Sequence, residues 1–340
     1  MAGFFFNCMK TRIAINGFGR IGRIFLRSII NHPNIELVAI NDLADITTMA
    51  HLLKYDSIHR TFKETVSITN NTLLVNNHEI QYYSQRQPQD LPWSKLNIDI
   101  VVECTGQFKS YDLAYQHLVA GAKKVIISAP PIDDSIKTIV MGVNEEIISA
   151  DDLILSNASC TTNSAAPMID LIDNAFGIES AYITTIHSYT TDQRLHDSPH
   201  IDLRRARAGA TSIVPTTTGA AKAITKIFPH LADKLGGCGI RVPVPDGSLT
   251  DITCIVTKKT SEQEVNRLFK YHANASLMGI VSFIDTPIVS VDILGNQHSC
   301  VFDSLLTSVI GNMVKVVGWY DNEVGYSARL LDLILHLRSI

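Results

Sequence analysis

Apolar positions along this chain follow two different rhythms. In the first, short apolar runs alternate with helical spacing. Residues 11–16 read as a strand, Ile24, Phe25, Ile29 and Ile30 mark one helix face, and 35–40 read as a second strand. Strand patterns at 98–103 and 124–128 flank a helical pattern around 113–120. Strands alternating with helices predict a parallel sheet covered on both faces. Residues 153–156 read as one more strand. It leads into a helix marked by Ala165, Met168, Ile169, Ile172, Ala175 and Phe176. From residue 180 the rhythm changes to longer strands, at 182–187, 240–244, 250–258, 288–293 and 313–319, with a helical pattern at 220–228. Strands that return on one another predict a mostly antiparallel, mixed sheet with helices on one side.

At 340 residues the chain exceeds one ordinary core, so two domains are expected. The expected division is a dinucleotide-binding domain over 11–159 and an α+β catalytic domain over 160–321. A C-terminal helix over 322–340 is expected to pack back on the first. A hydrophobic content of 46% and a net charge of −4 describe an ordinary globular protein with no basic footprint for nucleic acid. Six cysteines with no CxxC pair argue for reduced thiols in a cytoplasmic enzyme, not for a disulfide framework or a metal site. No apolar run is long enough to span a bilayer, so no membrane partner is expected. The apolar stretch over 1–8 lacks a basic segment before it and is too short for a secretory leader. Met9 offers an alternative start.

Two strand-to-helix junctions carry the candidate chemistry. At the first, Gly17-Phe18-Gly19-Arg20-Ile21-Gly22 follows the strand 11–16 and opens a helix. This is the Rossmann glycine pattern. The first glycine allows the turn, the second lets a pyrophosphate approach backbone, and the third lets helix and strand pack closely. The second strand ends at Asn41-Asp42, where a carboxylate would hold ribose hydroxyls and repel an extra phosphate, so NAD is favoured over NADP. Asn16, Arg20, Ile21 and Asn41 are expected to line the same site. The strand ends Glu103-Cys104-Thr105-Gly106 and Ser128-Ala129 are expected to face the same crevice.

At the second junction Ala158-Ser159-Cys160-Thr161-Thr162-Asn163 places a cysteine in the first turn of a helix. Unpaired backbone N–H groups and the helix dipole favour a thiolate there, so a lowered thiol pKa is expected. His187 ends the strand 182–187, one helix and one returning strand later, so it is the candidate base. Arg241, in an otherwise apolar strand, calls for a ligand or a buried acid as partner. Thr218-Gly219 opens another helix and offers a second anion site. The long polar segment between His187 and Ile213 is expected to be functional.

The Cys160 hexapeptide, Thr185-Ile186-His187-Ser188-Tyr189-Thr190, Thr216-Thr217-Thr218-Gly219-Ala220-Ala221-Lys222 and Trp319-Tyr320-Asp321-Asn322-Glu323 together closely resemble phosphorylating glyceraldehyde-3-phosphate dehydrogenase. The resemblance runs from about Thr11 to the C-terminus. It implies an aldehyde oxidoreductase using NAD, glyceraldehyde 3-phosphate and inorganic phosphate, with Cys160 passing through a thiohemiacetal and a thioester. Asn322 matches a residue that binds the nicotinamide amide, although a helix N-cap is a second role for it. Thr105, Gly106 and Ser128 fall in stretches that contact the nicotinamide side. The resemblance assigns Thr190, Arg205 and Arg241 to the substrate phosphate, and Ser159, Thr161, Thr218 and Gly219 to the attacking phosphate. It makes 188–212 an S-shaped loop in the core of a homotetramer, reaching a neighbour's cofactor.

The chain departs from the family at several places. Ser198 stands where NAD-specific relatives carry a larger apolar residue. Val324, Ala328 and Ile293 replace a common Trp, Asn and Phe, and His59-Arg60-Thr61-Phe62 replaces His-Gly-Arg-Phe. Cys104, where Ser is common, adds a second candidate oxidisable thiol. Erythrose-4-phosphate dehydrogenase shares Cys, His and NAD, but Ser188-Tyr189-Thr190 and Thr218-Gly219-Ala220-Ala221 match the glyceraldehyde-phosphate enzyme better. A non-catalytic binding role of the same fold is the other alternative.

Overall fold

The computed structural model describes residues 10–340. The apolar stretch 1–8 and the alternative start at Met9 lie outside them. The chain divides into two compact units. One comprises residues up to Lys137, Ile148–Ser156 and Leu330–Ile340; the other comprises Thr138–Ile147 and Asn157–Arg329. This division differs in detail from the expected one. It gives residues 157–159, 138–147 and the first part of the C-terminal helix to the second unit.

The first unit is built on β1 (Thr11–Asn16), α1 (Arg20–Ile29), β2 (Ile35–Asn41), α2 (Ile46–Lys54), β3 (Val66–Thr69), β4 (Thr72–Val75), β5 (His78–Tyr83), β6 (Ile100–Glu103), α3 (Tyr111–Val119), β7 (Lys124–Ile127), β8 (Lys137–Thr138) and β9 (Ile154–Ser156). The sheet runs β3-β4-β5-β2-β1-β6-β7-β9-β8. Within it β5, β2, β1, β6, β7 and β9 pair in parallel. Taken by themselves these six strands have the order 3-2-1-4-5-6, the doubly wound arrangement whose crossover direction reverses between β1 and β6. Ligands bind such sheets outside the carboxyl ends of the strands at that reversal. The meander β3–β5 was not expected from the sequence pattern. Its strands are four to six residues long and end in Asn-rich turns, with Asn70 and Asn76 at positive φ.

The second unit contains α4 (Cys160–Phe176), β10 (Ile178–Ser188), β11 (Val214–Thr216), α5 (Ala220–Ile227), β12 (Leu235–Val242), β13 (Ser248–Val256), α6 (Glu262–Ala273), β14 (Val281–Ile284), β15 (Cys300–Asp303), β16 (Ser308–Ile310), β17 (Met313–Tyr320) and α7 (Val324–Leu337). Its sheet runs β11-β12-β10-β13-β17-β15-β14, with β16 beside β17. The pairs β10–β12 and β14–β15 are parallel and the rest antiparallel, the mostly antiparallel mixed sheet expected. Ala165, Met168, Ile169 and Ile172 of α4 share one core with Ile224, Val265 and Phe269 of α5 and α6 and with Ile183, Ile252 and Val316 of the sheet.

One expected strand is absent. Residues 288–293 hold a single 3-10 turn, Ser290–Ile293. The Val289 N–H donates to the Asp292 carboxylate at 2.8 Å instead of to a ladder, and only Ile293 of the apolar residues is buried. A local side-chain acceptor has outcompeted the strand.

Candidate active site

The Rossmann turn is made by what its residues lack. Gly17 sits at φ +93°, where a Cβ would lie 2.6 Å from the Thr105 nitrogen. A Cβ on Gly22 would lie 2.4 Å from the Gly17 carbonyl oxygen. A Cβ on Gly19 would meet nothing within 4 Å. Gly17 and Gly22 are therefore packing glycines, and Gly19 leaves an open cradle at the N-terminus of α1. Among the described residues no side-chain cap is made at that terminus, which leaves its first N–H groups suited to an anion. Asp42 follows β2, its carboxylate aligned by the N–H groups of Phe18 (2.6 Å) and Ala44 (2.9 Å). Cradle and carboxylate fit a dinucleotide with free ribose hydroxyls. Arg20 pairs with Asp56. Burial resists that carboxylate, yet the N–H groups of His59 and Ile58 together with Arg20 hold it down at about 2.

Thr105 and Ser128 lie at the strand ends as expected. Cys104 N–H donates to the Asn16 carbonyl at 2.7 Å and Ser128 N–H to the Glu103 carbonyl at 2.9 Å. Gly106 adopts φ +70° beyond Thr105. The amides of Asn16 and Asn41 turn inward and bond one another at 2.7 Å, so these side chains brace the strand ends. Burial pushes the Cys104 thiol up to about 12, which works against its thiolate at neutral pH.

In the second unit Cys160 is the first residue of α4. Ser159 caps the helix, its hydroxyl accepting from the Thr162 N–H at 3.1 Å. The turn before it is held tightly. Ala158 sits at φ +56°, a left-handed conformation unusual for a residue with a Cβ. Tyr326 donates to its carbonyl at 3.1 Å, and the Asn163 amide bridges the Asn157 and Ser159 carbonyls at 2.9 and 3.0 Å. His187 reaches the sulfur from the end of β10, with Sγ to Nε2 3.4 Å. The β10–β12 register sets Arg241 directly beside His187.

Nδ1 of His187 lies 2.7 Å from the Ser188 carbonyl and 2.6 Å from Arg241 Nη1, which also lies 3.0 Å from that carbonyl. A guanidinium only donates, so both contacts to Nδ1 cannot be hydrogen bonds. We assign the proton to Nδ1, donating to the carbonyl and leaving Nε2 to accept from the thiol. The guanidinium is then a repulsive neighbour of the ring. Burial first, and Arg241 second, lower His187 to about 3. Burial raises the Cys160 thiol, against the pull of Arg241 and of the Thr161 N–H and hydroxyl. Desolvation thus opposes the lowering expected from the helix terminus, while Arg241 and the Thr161 groups act in its favour. Burial and the neighbouring Asp321 and Glu323 push the Asp246 carboxyl up, and its negative charge, when present, works against a developing thiolate.

The anion candidates fall into place unevenly. Thr218 and Gly219 open α5, where a Cβ on Gly219 would meet nothing within 4 Å. The charge of Arg205 reaches Arg241 and His187, but its side-chain bonds go elsewhere. Arg205 bonds Thr216 Oγ1 at 2.9 Å and Asp192 at 2.6 Å, placing it against the Thr216–Thr218 turn, because the loop folds back along β11. Thr190 begins that loop and is tied to Gln193. Arg241 has no carboxylate partner among the described residues; its guanidinium donates to the Ser188 carbonyl and lies against the His187 ring. The Asn322 N-cap is not formed. Asp321 takes the N–H groups of Glu323 and Val324 at 2.9 and 2.7 Å, while Asn322 Oδ1 accepts from the hydroxyls of Ser188 and Ser248 at 2.7 and 2.8 Å. That fixes its amide and leaves Nδ2 to donate. Sequence reasoning missed Tyr320, whose buried hydroxyl bonds Thr161 and Thr185 at 3.0 and 2.9 Å beside the His187 ring. No spacing signal marks it.

A doubly wound glycine-turn unit, and a second unit carrying a thiol against an imidazole, define an NAD-dependent oxidoreductase working through a cysteine. Family models described as the NAD binding domain and the C-terminal domain of glyceraldehyde 3-phosphate dehydrogenase match residues 11–111 and 159–322. The chain is 52% identical over 328 residues to glyceraldehyde-3-phosphate dehydrogenase 2 of Streptomyces avermitilis, covering 96% of this chain and 98% of that protein. It is 50% identical over 333 residues to the Geobacillus stearothermophilus enzyme of the same name, covering 97% and 99%. The Bacillus subtilis protein named glyceraldehyde-3-phosphate dehydrogenase 2 is 49% identical over 333 residues, covering 97% and 98%. The chain belongs to the glyceraldehyde-3-phosphate dehydrogenase family, and NAD is its cofactor.

Proposed function

We propose that this chain oxidises glyceraldehyde 3-phosphate to 1,3-bisphosphoglycerate with NAD and inorganic phosphate. The observation that carries the reading is the 3.4 Å contact between Cys160 Sγ and His187 Nε2 at the N-terminus of α4. His187 takes the thiol proton as sulfur attacks the aldehyde carbon and hands it to the tetrahedral oxygen, which the N–H groups of the first turn also meet, so the thiohemiacetal carries a hydroxyl and the imidazole is neutral again. Bound NAD supplies the hydride acceptor. His187 then removes the hydroxyl proton, leaving a thioester on Cys160. Phosphate held by Thr218, Gly219 and Arg205 attacks the thioester and regenerates the thiol. Arg241 and Thr190 hold the phosphate of the substrate. Once that phosphate offsets Arg241, the charge that depresses His187 is neutralised and the imidazole becomes a better base.

Phosphate-dependent NADH formation tests this, with glyceraldehyde 3-phosphate and erythrose 4-phosphate run side by side. Faster oxidation of erythrose 4-phosphate would transfer the assignment to that substrate.

We further propose a homotetramer in the cytoplasm. Its support is the loop 188–212 with Ile213, where Leu195, Ile201, Leu203 and Ile213 are 73, 100, 81 and 69% exposed. Apolar side chains so exposed on one loop are covered by another copy in a closed assembly. Light scattering is expected to give about four times the 37.5 kDa chain mass. A fully active monomer would remove the loop's role. Five free cysteines among the described residues support a reducing compartment.

A further inference from the structure

Beneath the glycine turn lies a buried polar chain that the reaction does not use. Trp93 and His117 are wholly buried and Glu103 is 1% exposed. Trp93 Nε1 lies 3.0 Å from His117 Nδ1, and His117 Nε2 lies 3.2 Å from Glu103 Oε2. An indole N–H only donates, so Nδ1 accepts and Nε2 carries the hydrogen. The other end of the chain is equally determined. The Gln85 N–H donates to Asn41 Oδ1 at 2.8 Å, which makes Asn41 Nδ2 the donor to Asn16 Oδ1. Asn16 Nδ2 must then donate to Glu103 Oε2. The 3.4 Å approach of Asn16 Nδ2 to His117 Nε2 is therefore two donors converging on one carboxylate oxygen. The other oxygen of Glu103 accepts from the N–H of Thr105 at 2.7 Å and from its hydroxyl.

Glu103 ends β6, at the β1–β6 reversal where the sheet binds its ligand. It holds Thr105, and Thr105 is the residue against which Gly17 has no room for a Cβ. A displacement of Thr105 therefore passes directly to the glycine turn. We propose that Glu103 is a positioning residue for NAD, oriented by His117 and through it by Trp93. Trp93 locks the His117 tautomer, His117 and Asn16 aim one carboxylate oxygen, and the other oxygen sets Thr105 and the aperture of the cradle at Gly19. Neither Trp93 nor His117 contacts the cofactor in this role. The inference rests on the reading of the Gly17–Gly22 turn as the NAD site.

The test uses the full-length enzyme with NAD as the probe, following NAD affinity by calorimetry, Cys160 alkylation by iodoacetamide without NAD, and thermal melting. His117→Leu removes the donor to Glu103 and is expected to weaken NAD binding about tenfold, the equivalent of one charge-assisted hydrogen bond. The KM for NAD rises with it, while kcat at saturating NAD and Cys160 alkylation stay unchanged. His117→Gln keeps an amide donor toward Glu103 and is expected to restore most of the affinity. Trp93→Phe removes the indole N–H together with the second ring and is expected to weaken binding several-fold, beyond what its melting temperature accounts for, which gives a second reading should His117→Leu fail to fold. Parental affinity in His117→Leu or Trp93→Phe overturns the proposal. So does equal loss in both His117 variants in step with melting temperature, which marks a purely structural role. Gly19→Val run in parallel separates the failures: if it binds NAD normally, the glycine-turn reading falls and the relay with it.

Discussion

The turns at Gly17–Gly22 and at Ala158–Asn163 are both strand-to-helix junctions, yet they work in opposite ways. The first binds by removing side chains: two glycines allow close packing, and a third clears the cradle. The second works by adding them. Ser159 caps, Asn163 clamps two carbonyls, Tyr326 holds the left-handed Ala158, and Cys160 is left at the helix terminus. Turns of the first kind can receive a pyrophosphate on backbone alone. A reactive thiol also needs its charge environment set, and that depends on groups brought from elsewhere, His187 and Arg241.

The sharpest way to separate the two turns is Cys160→Ser. It is expected to abolish turnover, by about 10⁴-fold or more, while calorimetry finds NAD binding intact. An acyl-enzyme recovered on a different cysteine would overturn the assignment. His187→Asn is expected to cost about 10²-fold in turnover and to slow alkylation of Cys160 at neutral pH. A variant that alkylates and turns over like the parent would exclude His187 as the base.

On the cofactor side, Asp42→Ala is expected to weaken NAD about tenfold and to narrow the preference over NADP, through loss of charged hydrogen bonds to the ribose. Comparable use of NADP by the parent would shift the weight to Ser198. Gly22→Ala and Gly19→Ala break the first turn in different ways. The former forces a Cβ against a carbonyl and is expected to cost about 1–3 kcal/mol of stability. The latter leaves the melting temperature unchanged, and any effect appears in NAD affinity. Equal melting temperatures for the two would contradict the packing role of Gly22.

The smallest effect concerns pH. The Cys160 thiol is raised above its ordinary value, and His187 is lowered to about 3. In the ligand-free protein, alkylation is therefore expected to climb through neutral pH into the alkaline range, following thiol ionisation. A resident ion pair would give a plateau beginning below pH 6. Arg241 favours the thiolate, so Arg241→Leu is expected to move the rise to higher pH. A plateau in acid would show that the helix terminus outweighs burial after all.

Much of this was legible in the chain. The glycine spacing, the position of Asp42 and the cysteine at a helix start are local patterns, set by steric and hydrogen-bonding demands acting within a few residues. The first strands and helices were legible for the same reason: an apolar period reports one buried face. The 288–293 segment has an apolar pattern, but Asp292 offers the backbone a nearer acceptor than any strand. Nor could local pattern show that Arg205 folds against Thr216, or that Asp321 and not Asn322 caps α7.

By itself the sequence determined where each kind of chemistry sits and which cofactor class it serves, because residue type and spacing carry that information. Tertiary structure alone decided the protonation logic. The β10–β12 register sets Arg241 beside His187, the fold partly buries the thiol, and Trp93 and Gln85 fix the hydrogens of a chain running to Glu103. Charge and desolvation act through space between residues such as Asn16 and Glu103, 87 positions apart in the chain, and no one-dimensional pattern records those distances.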